Sequence, residues 1–110
     1  MNTSDSFDLI IDNCYALFSK KMLDYGSAWR ILRLSSLTDQ IFIKAQRIRS
    51  IQDKGKQEVS DTIDGEFRGI INYSIIALIQ IEKGVSDSAD LSLEESLELH
   101  KHYADKAKSL

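Results

Sequence analysis

Apolar residues recur along most of this 110-residue chain at spacings of three and four, the pattern of amphipathic helices. Phe7, Ile10, Ile11, Cys14, Leu17, Phe18 and Met22 make one stripe and predict a helix over residues 6–23. Asp5 or Ser6 can cap its start, and Gly26 follows its end, where a left-handed residue closes a helix without strain. Ile41, Ala45, Ile48 and Ile51 predict a second helix over 37–52, with Ser36 and Asp39 as its capping box. The third helix, over 65–83, is the most apolar. Phe67, Ile70, Ile71, Ile75, Ile76, Leu78, Ile79 and Ile81 cover much of its circumference, which places it in the middle of a bundle. Its Ile content would suit a strand, but the run is too long for one. Asp64 reads as its N-cap and Gly84 as its stop. Ser92 and Glu95 form a capping box before a fourth helix over 93–109, on a weaker stripe through Leu97, His100 and Ala104. The expected architecture is an all-α four-helix bundle, a single domain over 1–110. A structured loop spans 24–36, and a polar stretch without periodicity spans 53–58.

Composition adds little to this picture except by exclusion. Proline is absent, as suits long uninterrupted helices. A lone cysteine, Cys14, rules out an intrachain disulfide and fits a cytoplasmic setting. Its place inside the first stripe reads as a buried small apolar residue. The run from Phe67 to Ile81 is interrupted by Arg68, Asn72 and Gln80 and is too short to span a bilayer, so no membrane partner is expected.

Charge does change the picture. The net charge is −3, yet residues 20–56 hold nine Lys and Arg against three Asp, a local +6 that leaves −9 for the rest. A basic middle between acidic ends points to an anionic ligand there, or else to a solvated face that pairs with those ends. The segment Asp24-Tyr25-Gly26-Ser27-Ala28-Trp29-Arg30 places the only tryptophan in a loop beside Arg30 and Arg33. Loops on a rigid scaffold are frequent carriers of binding groups. Lys44 and Arg47, three apart on the second helix, can present a point charge and a fork to phosphate oxygens. On the third helix Glu66, Gly69, Asn72 and Tyr73 share a side. The amide of Asn72 must find a partner in this apolar segment, and Gly69 implies a close approach or room for a ligand. Glu58, Asp61, Asp64 and Glu66 cluster at the start of this helix, where they could bind Mg²⁺ or complement the helix dipole. His100 and His102 point to different faces and read as surface or edge residues.

Three motifs in order then resemble a known family. They are Lys20-Lys21-Met22-Leu23-Asp24-Tyr25-Gly26-Ser27-Ala28-Trp29-Arg30; Ser35-Ser36-Leu37-Thr38-Asp39-Gln40 with Lys44 and Arg47; and Glu66-Phe67-Arg68-Gly69-Ile70-Ile71-Asn72-Tyr73-Ser74. Together they resemble the nucleotide modification associated domain 1 family, in particular Bacteroidetes members that carry the unit twice in tandem. On that likeness residues 97–110 would be the opening helix of a second, truncated repeat. The pattern is also distantly similar to MazG-type all-α nucleoside triphosphate pyrophosphohydrolases, whose helix-borne carboxylates hold Mg²⁺ against a triphosphate. Related phage sequences place an Asp where this chain has Gly69, and the paired glutamates of the MazG first helix are missing here.

The resemblance implies a nucleotide-handling domain, a Mg²⁺-dependent pyrophosphohydrolase or a decayed relative that binds nucleotide. The candidate residues for the nucleotide or another phosphorylated small molecule are Lys21, Tyr25, Trp29, Arg33, Lys44, Arg47, Asn72 and Tyr73. The candidate metal carboxylates are Asp24, Asp61 and Glu66. The alternative is a non-catalytic interaction module that pairs with a second copy as a homo-oligomer or with an intramolecular second repeat. A nucleic-acid-binding accessory role is the third reading, disfavoured because the acidic remainder would repel a phosphate backbone.

Overall fold

A computed structural model describes residues 3–54 and 60–109, leaving aside the side chains of residues 60–62. Four helices account for nearly all of it: α1 (Thr3–Tyr25), α2 (Leu34–Lys54), α3 (Ser60–Lys83) and α4 (Leu93–Lys108). The expected all-α four-helix bundle is what forms. The loop over 24–36 is ordered and contains a 3₁₀ turn, Ala28–Ile31.

The stops fall where backbone chemistry predicts. Gly26 (φ +62°) returns its N–H to Met22 O at 2.8 Å, and Gly84 (φ +80°) returns its own to Gln80 O at 2.8 Å. Both are left-handed caps that only glycine adopts without penalty. The α4 capping box is complete: Glu95 N–H donates to Ser92 Oγ, and Ser92 N–H donates to Glu95 Oε1, each at 3.1 Å. Those bonds to Glu95 hold its carboxyl below the usual range.

The starts differ from expectation. α2 is helical from Leu34, so Ser36 lies inside its first turn and caps nothing. α3 is already helical at Ser60, so Asp64 is not an N-cap but pairs with Arg68 one turn on, at 2.5 Å. A cap chosen from sequence competes with every other Ser, Thr or Asp nearby, and helix ends are the least determined feature of a periodic pattern. Asp53 and Lys54 close α2 instead of opening a loop, and Glu58 lies outside the described residues.

α3 is the axis of the molecule. α2 packs along it, and α1, α3 and α4 pack on one another. Phe18, Met22, Leu37 and Ile76 form one core cluster, and Ile75, Ile79 and Tyr103 a second. Cys14 is completely buried, as its place in the stripe predicts, and burial pushes its thiol above the ordinary value. His100 overturns its expected surface position. It is completely buried on α4, stacked near Phe18 (4.8 Å between centroids) and edge-on to Tyr15 (5.6 Å). The tie that brings it inside is Asn72, whose Oδ1 is 2.9 Å from His100 Nε2 while its Nδ2 donates to Cys14 O at 3.1 Å. One amide thus joins three helices, and the pairing demanded of Asn72 is met within the protein. No helix among the described residues is long and apolar enough to cross a membrane.

Candidate functional site

α1 and α2 both lean on α3 but do not pack along each other. The gap between them is a cleft of about 610 Å³. Its floor is one face of α3, where Gly65, Gly69, Asn72, Tyr73 and Ile76 recur at helical spacing. Its α1 wall holds Leu17, Phe18, Lys21 and Met22, its end is the turn from Tyr25 to Leu32, and Lys44 projects into it from α2. The lining is mostly apolar and aromatic, with few polar groups, as is usual for small-molecule sites.

Lys44 lies on the inward face of α2, outside the stripe expected there. The expected inward stripe used Ala45, which is exposed. The face that meets α3 instead runs Leu37, Ile41, Lys44, Ile48 and Ile51, all buried or half-buried. Gly69 is the reason. A Cβ at position 69 would sit 2.7 Å from Lys44 Cε and 2.9 Å from Cδ, so the missing side chain makes the space that the lysine stem fills. The charged end is then held by Glu66 at 3.2 Å and lies 5.8 Å from the Tyr73 ring centroid. Arg47 reaches the other Glu66 oxygen at 3.5 Å from an exposed position. The Glu66 side chain is only 12% exposed, so it is a nearly buried anion between two cations.

The aromatic turn is fixed from behind. Arg30, 4% exposed, donates from Nε to Asp90 at 2.9 Å and from Nη1 to Gln80 Oε1 and to Gly84 O, the latter at 2.8 Å. Gln80 Nε2 donates back to the carbonyls of Arg30 and Leu32 at 2.7 and 2.9 Å. Ser27 Oγ donates to Leu91 O at 3.0 Å. Arg30 holds the Asp90 carboxyl below the usual range. The Arg30 charge is therefore consumed in anchoring the turn. Trp29, supported this way, presses on Phe18 (6.0 Å between centroids) and turns its indole N–H to Met22 Sδ at 3.2 Å.

The structure brings Lys21, Tyr25, Trp29, Lys44, Asn72 and Tyr73 together around this cleft. Lys21 and Tyr25 are exposed at its rim, Trp29, Lys44 and Tyr73 are half-buried in its walls and floor, and Asn72 is buried beneath. Arg33 and Arg47 are exposed and outside the lining. Asp24 is likewise exposed and outside it, Glu66 stands behind Lys44, and the side chain of Asp61 lies outside the described residues. Among the described residues no three His, Cys, Asp or Glu side chains come together as metal ligands. Glu66, the candidate nearest the cleft, has both oxygens facing cations, so the described carboxylates do not fit a Mg²⁺ site.

No curated protein and no solved structure matches the chain. The family model for nucleotide modification associated domain 1 matches residues 21–81, which hold most of the cleft: its Lys21 rim, its aromatic turn, Lys44 and the whole α3 floor. That match covers more than half of the chain, which therefore belongs to the nucleotide modification associated domain 1 family.

Proposed function

We propose that this domain binds a nucleotide, or a closely similar phosphorylated aromatic molecule, in the cleft between α1 and α2. The observation that carries the reading is Lys44. A cation on a half-buried stem opens into a cleft lined by Trp29, Tyr25 and Tyr73, with no carboxylate among the described lining residues. A base can stack on the indole or phenol rings. A phosphate can take the Lys44 ammonium in place of Glu66, with Lys21 at the rim and Arg47 freed by the same exchange. The cleft volume, about 610 Å³, is ample for such a ligand. The family's association with nucleotide modification favours the same ligand class.

Binding without hydrolysis is the form of this reading that the geometry favours. A pyrophosphohydrolase of the MazG type needs carboxylates that hold Mg²⁺. Here Glu66 is neutralised by Lys44 and Arg47, and position 69 carries no carboxylate, the space beside Gly69 being filled by the Lys44 stem. Mg²⁺ then enters only as the counter-ion of a bound polyphosphate. The test is a thermal-shift panel of nucleoside mono- and triphosphates, with and without Mg²⁺, beside an assay for pyrophosphate release. The expected result is stabilisation by nucleotide that Lys44→Ala removes, without pyrophosphate release. Pyrophosphate release would restore the enzymatic reading, and a panel without any shift would reject the nucleotide reading altogether.

A further inference from the structure

The face of α3 turned away from the cleft is also apolar, and its spacing is symmetric. Phe67, Ile70, Ser74, Leu78 and Ile81 stand at −7, −4, 0, +4 and +7 from Ser74. At 100° per residue they fall within an arc of about 80°. Phe67 is 49% exposed, Leu78 43% and Ile81 65%, while Ile70 and Ser74 are half-buried. The inner side of the helix, through Gly69, Asn72, Ile76 and Ile79, meets α1, α2, α4 and the cleft.

We infer that this face pairs with the same face of a second copy of the chain, antiparallel, about a two-fold axis passing at Ser74. The symmetric spacing selects the occupant. An antiparallel copy sets Phe67 against Ile81, Ile70 against Leu78 and Ser74 against Ser74, so large side chains meet large ones and the smallest lies where the helix axes come closest. Ser74 brings little polarity to that point because its Oγ already donates to Ile70 O at 2.8 Å. The stripe carries no charge, so no ion has to be desolvated. A contact about 21 Å long, from Phe67 to Ile81, and one helix (about 10 Å) wide is smaller than a standard interface, which sets the strength: a reversible dimer dissociating in the micromolar range.

This inference stands apart from the nucleotide reading, and its test does not use nucleotide. Sedimentation velocity across a concentration series should show monomer passing to dimer, and Phe67→Glu with Ile81→Glu should lose the dimer while keeping the helical circular dichroism. Ser74→Cys should form a disulfide-linked dimer on mild oxidation, whereas Arg49→Cys, on the exposed side of α2, should not. Cys14 is buried and should stay silent in both. A chain that remains monomeric throughout, a dimer indifferent to the glutamate substitutions, or equal cross-linking by the two cysteine variants would each overturn the inference. Should the glutamate pair fail to fold, the cysteine comparison decides alone.

Discussion

The stem of Lys44 occupies the space that a side chain on Gly69 would need, with Lys44 Cε 2.7 Å from the position of the missing Cβ. This one relationship turns α2 so that a cation faces α3 and opens into the cleft. Gly69→Ala tests it. The obstructing atoms are the far end of a flexible side chain, so Lys44 can move aside, and Ala gains about 1 kcal/mol of helix propensity over Gly. The melting temperature should hold or rise, while nucleotide affinity falls by about 1 kcal/mol, roughly fivefold. A calorimetric titration beside a thermal melt checks both. Unchanged affinity would mean that the position of Lys44 is immaterial to binding.

Glu66 competes with the ligand for Lys44 and Arg47. Removing its charge by Glu66→Gln should raise affinity for phosphate-bearing ligands severalfold at low salt. The gain should shrink as salt is added, since Arg47 is exposed and screened. Titrations at two ionic strengths decide this. A loss of affinity in Glu66→Gln would instead mark the carboxylate as part of the binding machinery.

The buried histidine makes stability depend on pH. Burial pushes the His100 value down from 6.5 to about 4. Above pH 6.5 the ring is neutral in both folded and unfolded chains. As pH falls below 6.5 the unfolded chain takes up a proton that the folded one refuses, so stability is lost until the native ring itself titrates near pH 4. The slope approaches about 1.4 kcal/mol per pH unit within that window, for a total on the order of 3 kcal/mol. The depressed carboxylates of Asp90 and Glu95 lose their contribution only at lower pH, below their ordinary values of 3.8 and 4.5. Denaturant melts between pH 7 and 5 therefore isolate His100. His100→Phe should flatten that slope, whatever its effect on the baseline, and an unchanged slope would contradict the assignment.

Arg30 and Arg33 stand three residues apart and should behave oppositely. Arg30→Ala leaves the Gln80 amide oxygen and the Gly84 carbonyl without their buried donor, a loss of about 2–4 kcal/mol. Arg33 is exposed, and Arg33→Ala should stay within about 0.5 kcal/mol of the parent. Chemical denaturation of the two variants checks the contrast. Similar losses in both would mean that the turn is not held through Arg30.

These residues also show what could be read from sequence. The Ser92–Glu95 box and the stops at Gly26 and Gly84 depend only on neighbours within a turn, and they form where the pattern places them. Trp29 and Lys44 were recognisable as candidates by type and place, and both reach the cleft. The burial of Arg30 was not readable, because its partners Gln80, Gly84 and Asp90 lie 50, 54 and 60 residues away. His100 turned inward for a similar reason, since its stripe position admits either exposure and its partner Asn72 belongs to another helix. The inward turn of Lys44 required a glycine opposite on α3, a match between elements that periodicity within one helix does not contain.

The central claim, a nucleotide in the α1–α2 cleft, is tested most directly by the fluorescence of Trp29, the only tryptophan and part of the cleft wall. Titration with nucleoside phosphates should give a saturable change in its emission, lost in Lys44→Ala and retained in Arg33→Ala. An emission that no nucleotide changes, at concentrations up to the millimolar range, would contradict the claim.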